Sequence, residues 1–168
     1  MQNKAEGIAT ELARRIAIVT GAGGGLGRSH ALLLARLGAK VLVNDVAEDA
    51  AEKVAREIRE SGGDALGFAA SVTDEARVAE MAAAAMKAWG RIDILVNNAG
   101  ILRDRTFAKM TMAEFREVID VHLMGSAICT KAVWEIMREQ RYGRVVMIPT
   151  DKPGKPRGAR KRAHDHDH

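Results

Sequence analysis

Apolar runs of strand length alternate with amphipathic runs of helix length along this chain, and no other feature limits its possible folds as much. Ile16 to Thr20 precedes a helical pattern at Leu26 to Leu37, Val41 to Asp45 precedes Glu48 to Glu60, Ala65 to Ala70 precedes Asp74 to Trp89, and Ile92 to Asn97 follows. Gly38, Ser61-Gly62-Gly63 and Gly90 stand where those helices must end. The pattern predicts an α/β fold: a doubly wound parallel sheet, helices on both faces, right-handed crossovers. A longer helical stretch runs from about Thr111 to Gln140, with an interruption expected near Gly125. Thr111 and Glu114 are spaced as a capping box, and Gly143 to Ile148 reads as a fifth strand.

The organisation expected is an N-terminal extension at 1–15, a partial dinucleotide-binding domain at 16–150, marked by the glycine-rich run Thr20 to Gly27 after the first strand, and a disordered basic tail at 151–168. With 168 residues, 47% of them apolar, one core is the natural count. The chain has no run of about 18 apolar residues and no apolar signal core near Met1, so we expect an intracellular, cytoplasmic protein that does not span a membrane. The single Cys129 cannot form an internal disulfide and lies in an apolar helical run, as a small packed hydrophobe does. Residues 151–168 hold six Lys/Arg against three Asp, supplying +3 of the net +4, so the charge argues against a nucleic-acid surface on the folded body. That tail has no apolar anchor and is expected to stay disordered; its abrupt start suggests an unrelated or frame-altered ending. Its alternating histidines, His164, His166 and His168, make at most an adventitious metal contact, and no dedicated metal site is expected.

The run Thr20-Gly21-Ala22-Gly23-Gly24-Gly25-Leu26-Gly27 sits between the first strand and the first helix, where a dinucleotide-binding turn of Rossmann type belongs. Backbone without side chains can turn tightly there and approach a pyrophosphate, which the free N–H groups of the helix N-terminus attract. Gly21, Gly25, Leu26 and Gly27 are the expected pyrophosphate residues, with Gly23 and Gly24 as extra freedom. Asp45 follows the second strand, where a carboxylate accepts hydrogen bonds from adenosine ribose hydroxyls and repels a 2′-phosphate. NAD(H) is therefore expected in preference to NADP(H). Asp45 could instead cap the helix beginning near Glu48, and Arg28, placed after the last glycine, is expected within the first helix.

With Asn97-Asn98-Ala99-Gly100 after the fourth strand, about 75 residues beyond the glycine run, the sequence resembles the short-chain dehydrogenase/reductase family over roughly residues 10 to 150. Gly100 to Phe107 and Val121-His122-Leu123-Met124-Gly125 are most similar to the 3-hydroxyacyl-CoA dehydrogenase part of peroxisomal multifunctional β-oxidation enzymes; 3-ketoacyl-carrier-protein reductases come next. The resemblance implies that Asn98, Ala99 and Gly100 line the ribose side of the cofactor while asparagine side chains bridge neighbouring strands. It implies that Ser71 and Val72 hold the adenine, although Ser71 stands where relatives usually have Asp; Thr73 alternatively caps the next helix. His122 takes the place of an asparagine that supports the catalytic lysine, unless it is a packing or capping residue. Thr150 aligns at or beside the serine that orients the substrate oxygen.

The family's proton donor is a tyrosine whose pKa is lowered by a lysine four residues later. No such pair exists here: the only tyrosine is Tyr142, and Val146 stands four residues on. The resemblance therefore implies an oxidoreductase for a thioester, secondary alcohol or ketone substrate, impaired or inactive as written and truncated after about the fifth strand, which would be an exposed apolar edge. The alternative is a non-enzymatic nucleotide-binding fragment that pairs with a full-length homologue. The helices at 111–140 commonly form a dimer face in the family, so a homo-oligomer is expected through them unless their apolar positions are internal core. A peroxisomal origin stays open although no terminal Ser-Lys-Leu address is present, because a frame-altered ending would have removed the native one.

Overall fold

The computed structural model describes residues 11–103 and 105–149. Strands β1 (Ile16–Val19), β2 (Lys40–Asp45), β3 (Ala65–Ala69), β4 (Ile94–Asn97) and β5 (Arg144–Met147) form one parallel sheet in the order β3-β2-β1-β4-β5. Helices α1 (Gly25–Arg36), α2 (Glu48–Glu60), α3 (Glu75–Trp89), α4 (Met112–Ile119) and α5 (Gly125–Gln140) connect and cover it. The fold is the expected doubly wound α/β sheet of Rossmann type.

Strand side chains alternate between faces, and the two cores follow that alternation. Ala17, Val19, Val41 and Val43 pack with Ala31 of α1 and Val54, Ala55 and Ile58 of α2. Ile18, Leu42 and Leu95 face the other way, onto Val78, Met81 and Ala85 of α3 and Cys129, Val133 and Met137 of α5. Gly38, Gly62 and Gly90 all take positive φ at the helix ends, and both halves of the Thr111–Glu114 capping box are formed.

Burial in the second core pushes the Cys129 thiol up to about 12. Its thiolate is therefore scarce at neutral pH. A thiol reagent at pH 8 is expected to leave Cys129 unmodified in the native chain and to react once denaturant is added; labelling at the same rate in both would mean that α5 does not pack on this face.

The interruption expected near Gly125 is a π-type turn at Asp120–Met124, through which the chain stays helical on into α5, and two further local expectations need correction. Glycine is needed there for close approach, because a Cβ at Gly125 would lie 2.5 Å from Val72 Cγ2. Asp74 rather than Thr73 caps α3, its carboxylate accepting from the Arg77 N–H at 3.1 Å. Residues 11–15 are tied to the domain, since Leu12 packs on the first core and Arg15 pairs with Asp93 at 3.1 Å. Residues 1–10 and the tail at 151–168 lie outside the described residues.

The two sheet edges differ. Along β3, Arg59 of α2 donates to Ala65 O at 2.9 Å and Arg77 of α3 donates to Ala69 O at 2.7 Å, and Glu52 and Glu80 hold the two guanidinium groups in place. Along β5, Val145, Val146 and Met147 are 39%, 41% and 57% exposed, an apolar edge that no arginine covers among the described residues.

Candidate functional site

All strands are parallel, and the direction in which the sheet grows reverses between β1 and β4. Loops leaving the carboxyl ends of the strands diverge at such a point and leave a crevice. Here they enclose a cleft of about 290 Å³. The first loop contributes Gly21, the second Asp45, the third Ser71 and Val72, and the fourth Asn98, Ala99 and Gly100. Seven residues singled out from widely separated sequence motifs thus share one surface. Asn44, Ala70, Ile101 and Val121 also line it. Sequence reading missed them, although the first three adjoin or extend the motifs at strand ends.

The glycine turn and the asparagine motif are locked together through Thr20. Its Oγ1 accepts from the N–H groups of Asn98 and Ala99, each at 3.0 Å, and donates to Val96 O. Asn98 Nδ2 returns two bonds of 3.1 Å, to the carbonyls of Thr20 and Gly21. Gly21 has φ +60°, and a Cβ there would lie 2.8 Å from Ala99 Cα. A Cβ at Gly27 would lie 2.3 Å from Gly21 O and 2.4 Å from Asn98 Nδ2, between the partners of one of those bonds. Asn97 reaches the other way, its Nδ2 donating to Thr130 Oγ1 of α5 at 3.1 Å and lying 3.2 Å from Met147 Sδ of β5.

Gly25, Leu26 and Gly27 do not line the cleft; they form the first turn of α1 beside it. No side chain caps that turn and no acidic residue lies in it, whereas Asp74 and Thr111 cap α3 and α4. Its free N–H groups thus keep the partial positive charge that attracts phosphate. Arg28, one residue on, is committed to Glu57 of α2, its Nε donating at 3.0 Å.

Asp45 does not cap α2, whose N-cap is Ala47. Its Oδ2 accepts from the Gly23 N–H at 3.0 Å and its Oδ1 from the Ala47 N–H at 3.1 Å. Gly23 is consequently not spare freedom: a Cβ there would lie 2.7 Å from Asp45 Oδ2 and 2.7 Å from Ala50 Cβ. Gly24, where a Cβ would meet nothing within 4 Å, is the unconstrained one. Ser71 Oγ pairs with Thr73 Oγ1 at 2.8 Å, so the hydroxyl at the Asp position is occupied locally while Val72 is buried against Gly125.

His122 lies on the π-type turn, with Nε2 3.0 Å from Ile101 N and 2.8 Å from Ile101 O. It clips the loop after β4 to the helix and is not part of the cleft lining. Thr150 lies outside the described residues. Tyr142 is at the far end of the molecule: it precedes β5, and the guanidinium groups of Arg15 and Arg144 lie 3.5 and 4.7 Å from its ring centroid. Among the described residues no group of three or more His, Cys, Asp or Glu side chains is placed to hold a metal ion, and no helix is long and apolar enough to cross a membrane.

This constellation fits a dinucleotide: a side-chain-free turn for the pyrophosphate, an uncapped helix N-terminus behind it and a fixed carboxylate at the end of β2. Comparison with known proteins agrees. Residues 15–157 match the family described as short chain dehydrogenase. The peroxisomal multifunctional enzyme type 2 of Drosophila melanogaster is 51% identical over 146 residues, covering 82% of this chain and 24% of the relative. The peroxisomal hydratase-dehydrogenase-epimerase of Saccharomyces cerevisiae is 45% identical over 79% of this chain and 15% of its own length. A 3-oxoacyl-[acyl-carrier-protein] reductase of Synechocystis is 41% identical over 83% of this chain and 57% of its own length. The chain thus spans about a third or less of the multifunctional relatives. On its motifs, its sheet and these matches, it belongs to the short-chain dehydrogenase family of oxidoreductases.

Proposed function

We propose that the cleft binds NAD(H) in preference to NADP(H), and that the chain is the cofactor-holding part of an oxidoreductase for 3-hydroxyacyl thioesters or similar secondary alcohols and ketones, with turnover impaired or lost in these 168 residues. Asp45 carries this reading. Its carboxylate stands at the cleft with one hydrogen bond on each oxygen, and each oxygen keeps lone-pair capacity for a ribose hydroxyl. A 2′-phosphate brought there would meet like charge, while Arg28 of α1 is already paired with Glu57. The bound nicotinamide would supply the hydride chemistry.

The chain's own task is to fix the dinucleotide and to manage the proton, and the second half of that task lacks its donor. Transfer to a carbonyl requires an acid within hydrogen-bond reach of the developing alkoxide. Tyr142, the only tyrosine, meets Arg15 and Arg144 at the opposite ends of the strands from the cleft. His122 then acts as a positioning residue that fixes the Ile101 segment of the cleft wall.

Titration with NADH, followed by quenching or energy transfer from Trp89 and Trp134, is expected to saturate, with NADPH binding at least tenfold more weakly. Asp45→Ala is expected to erase that preference. A folded chain that binds neither nucleotide would refute the reading. No turnover of short 3-hydroxyacyl-CoA with NAD is expected above background, and steady turnover would overturn the impaired-activity part.

A second reading, a non-enzymatic nucleotide-binding fragment that pairs with a full-length homologue or with itself through residues 111–140, is favoured by one observation. Ile119, Leu123, Met124 and Trp134 are exposed on this helical stretch at 37%, 64%, 46% and 59%, apolar side chains that a partner could cover. Light scattering that returned a monomer, alone and mixed with such a homologue, would remove it. A 3-ketoacyl-carrier-protein substrate is the weaker alternative for the enzyme, supported by the Synechocystis relative. An intracellular site, cytoplasmic or peroxisomal, suits the lone buried thiol and the names of the relatives.

A further inference from the structure

We infer that the outer edge of β5 is a docking strand for an extended peptide whose apolar side chains alternate along it and whose one end is acidic. Arg144 N and Ile148 N donate to Asp93 O at 2.9 Å and Asn97 O at 3.0 Å, so the even-numbered residues of this strand bond to the β4 segment. Backbone groups along a strand alternate in direction, which turns the N–H and C=O of Val145 and Met147 away from β4. In register these two residues pair with Leu95 and Asn97, whose side chains face α5. Val145 and Met147 therefore present free backbone and exposed apolar side chains on the α5 face of one edge. At the opposite edge, Arg59 and Arg77 occupy the carbonyls of Ala65 and Ala69, so an incoming strand has β5 to join.

Where β5 begins, a cavity of about 420 Å³ opens beside Val145, with Trp134 and Met137 as apolar wall and Arg138, Arg141 and Arg144 around it. No carboxylate lines it. Arg138 is held by Glu135 at 2.6 Å, while Arg144 lies over the Tyr142 ring and donates to Gly143 O at 2.8 Å. In an added strand every second side chain falls on the α5 face, where one enters this cavity against Trp134. A carboxylate carried just beyond it meets the guanidinium groups of Arg141 and Arg144. Charge selects this occupant over two others. A second copy paired antiparallel through β5 would set against the basic rim the segment after Met147, which carries Lys152, Lys155 and Arg157 against Asp151. The chain's own residues 151–168 have the same positive excess.

The test uses the full chain and two end-blocked fluorescein peptides, read by anisotropy. In each, three valines alternate with threonines and two glutamates stand at either the amino or the carboxyl end. One orientation is expected to bind with a dissociation constant of about 100 μM or tighter at low salt, and its lysine counterpart about tenfold more weakly. Methylating alternate peptide nitrogens in one phase should abolish binding, and in the other phase should change it less than about threefold, because a strand ladder uses every second N–H. Arg141→Gln combined with Arg144→Gln should remove the preference for glutamate over lysine, and Trp134→Ala should weaken the valine peptides about fivefold. These three positions are exposed, and thermal denaturation of each variant confirms that it folds. The methylated peptides test the parent chain without any substitution. Equal effects of the two methylation phases, or an unchanged glutamate preference in the folded arginine variant, would overturn the inference. So would a parent that binds neither orientation, with sedimentation then showing whether a second copy or residues 151–168 hold the edge.

Discussion

Gly27→Ala is expected to cost about 30-fold or more in NADH affinity and about 1–3 kcal/mol in stability, the range for forcing a methyl group into a closed contact. The added Cβ would fall 2.3 Å from Gly21 O and 2.4 Å from Asn98 Nδ2, with Ala22 Cα at 2.9 Å. Two of those three atoms are backbone, so the helix must move away from the turn. Any such retreat withdraws the first-turn N–H groups of α1 from the pyrophosphate position, and without it the methyl group would part the 3.1 Å bond from Asn98 to Gly21 O. The loss should strike NADH and NADPH alike, because both carry the same pyrophosphate. For a chain of this size, a stability loss of about 1 kcal/mol lowers the melting midpoint by roughly 2–4 °C. An alanine variant that melts and binds like the parent would show that α1 is not held by this contact.

What was legible in the sequence was whatever depends on local pattern. Strand and helix order came from the change of hydrophobic period at Ile16 to Leu37 and its repetitions, and the helix ends from Gly38, Gly62 and Gly90. The cleft residues at the strand ends followed from the glycine and asparagine motifs. What stayed hidden depends on contacts between distant segments. Nothing near Gly23 announces that its N–H and its missing side chain serve a carboxylate 22 residues away. The π-type turn before Gly125 has the same apolar pattern as an α-helix, and only the approach of Val72 explains the glycine. The resemblance sets His122 beside a lysine, whereas among the described residues its ring meets the backbone of Ile101, 21 residues back. The guarding of β3 by Arg59 and Arg77 was equally invisible, since an arginine on a solvated helix face reads the same whether or not it bonds a strand edge.

Asp93→Asn is expected to destabilise the chain by about 2–4 kcal/mol at neutral pH, near the range for breaking a buried ion pair but tempered because both arginine partners can rehydrate. The Asp93 side chain is fully buried, while those of Arg15 and Arg91 remain 31% and 39% exposed. Oδ2 accepts from the Ile16 N–H at 3.0 Å and from Arg91 Nε at 2.9 Å; Oδ1 accepts from Arg15 at 3.1 Å and Arg91 Nη2 at 2.6 Å. Every partner is a donor, so either orientation of an asparagine amide turns its NH₂ against another N–H. The damage falls where the Ile16 N–H ties the start of β1 to β4, far from the cleft, so nucleotide affinity per folded molecule should hold. Burial alone would raise the Asp93 pKa, but the Arg91 guanidinium, the Ile16 N–H and Arg15 outweigh it and hold the carboxyl below the ordinary carboxylate range. A depressed folded-state pKa gives a contribution that is complete above the unfolded value, about 3.9, and is lost as pH falls through the folded one. Urea unfolding of the parent and Asp93→Asn at several pH values from about 7 to about 2 should therefore give a stability difference that is constant down to about pH 5 and then narrows. A difference independent of pH throughout would mean that the asparagine acts by shape alone and that the charge of Asp93 contributes nothing to holding β1 against β4.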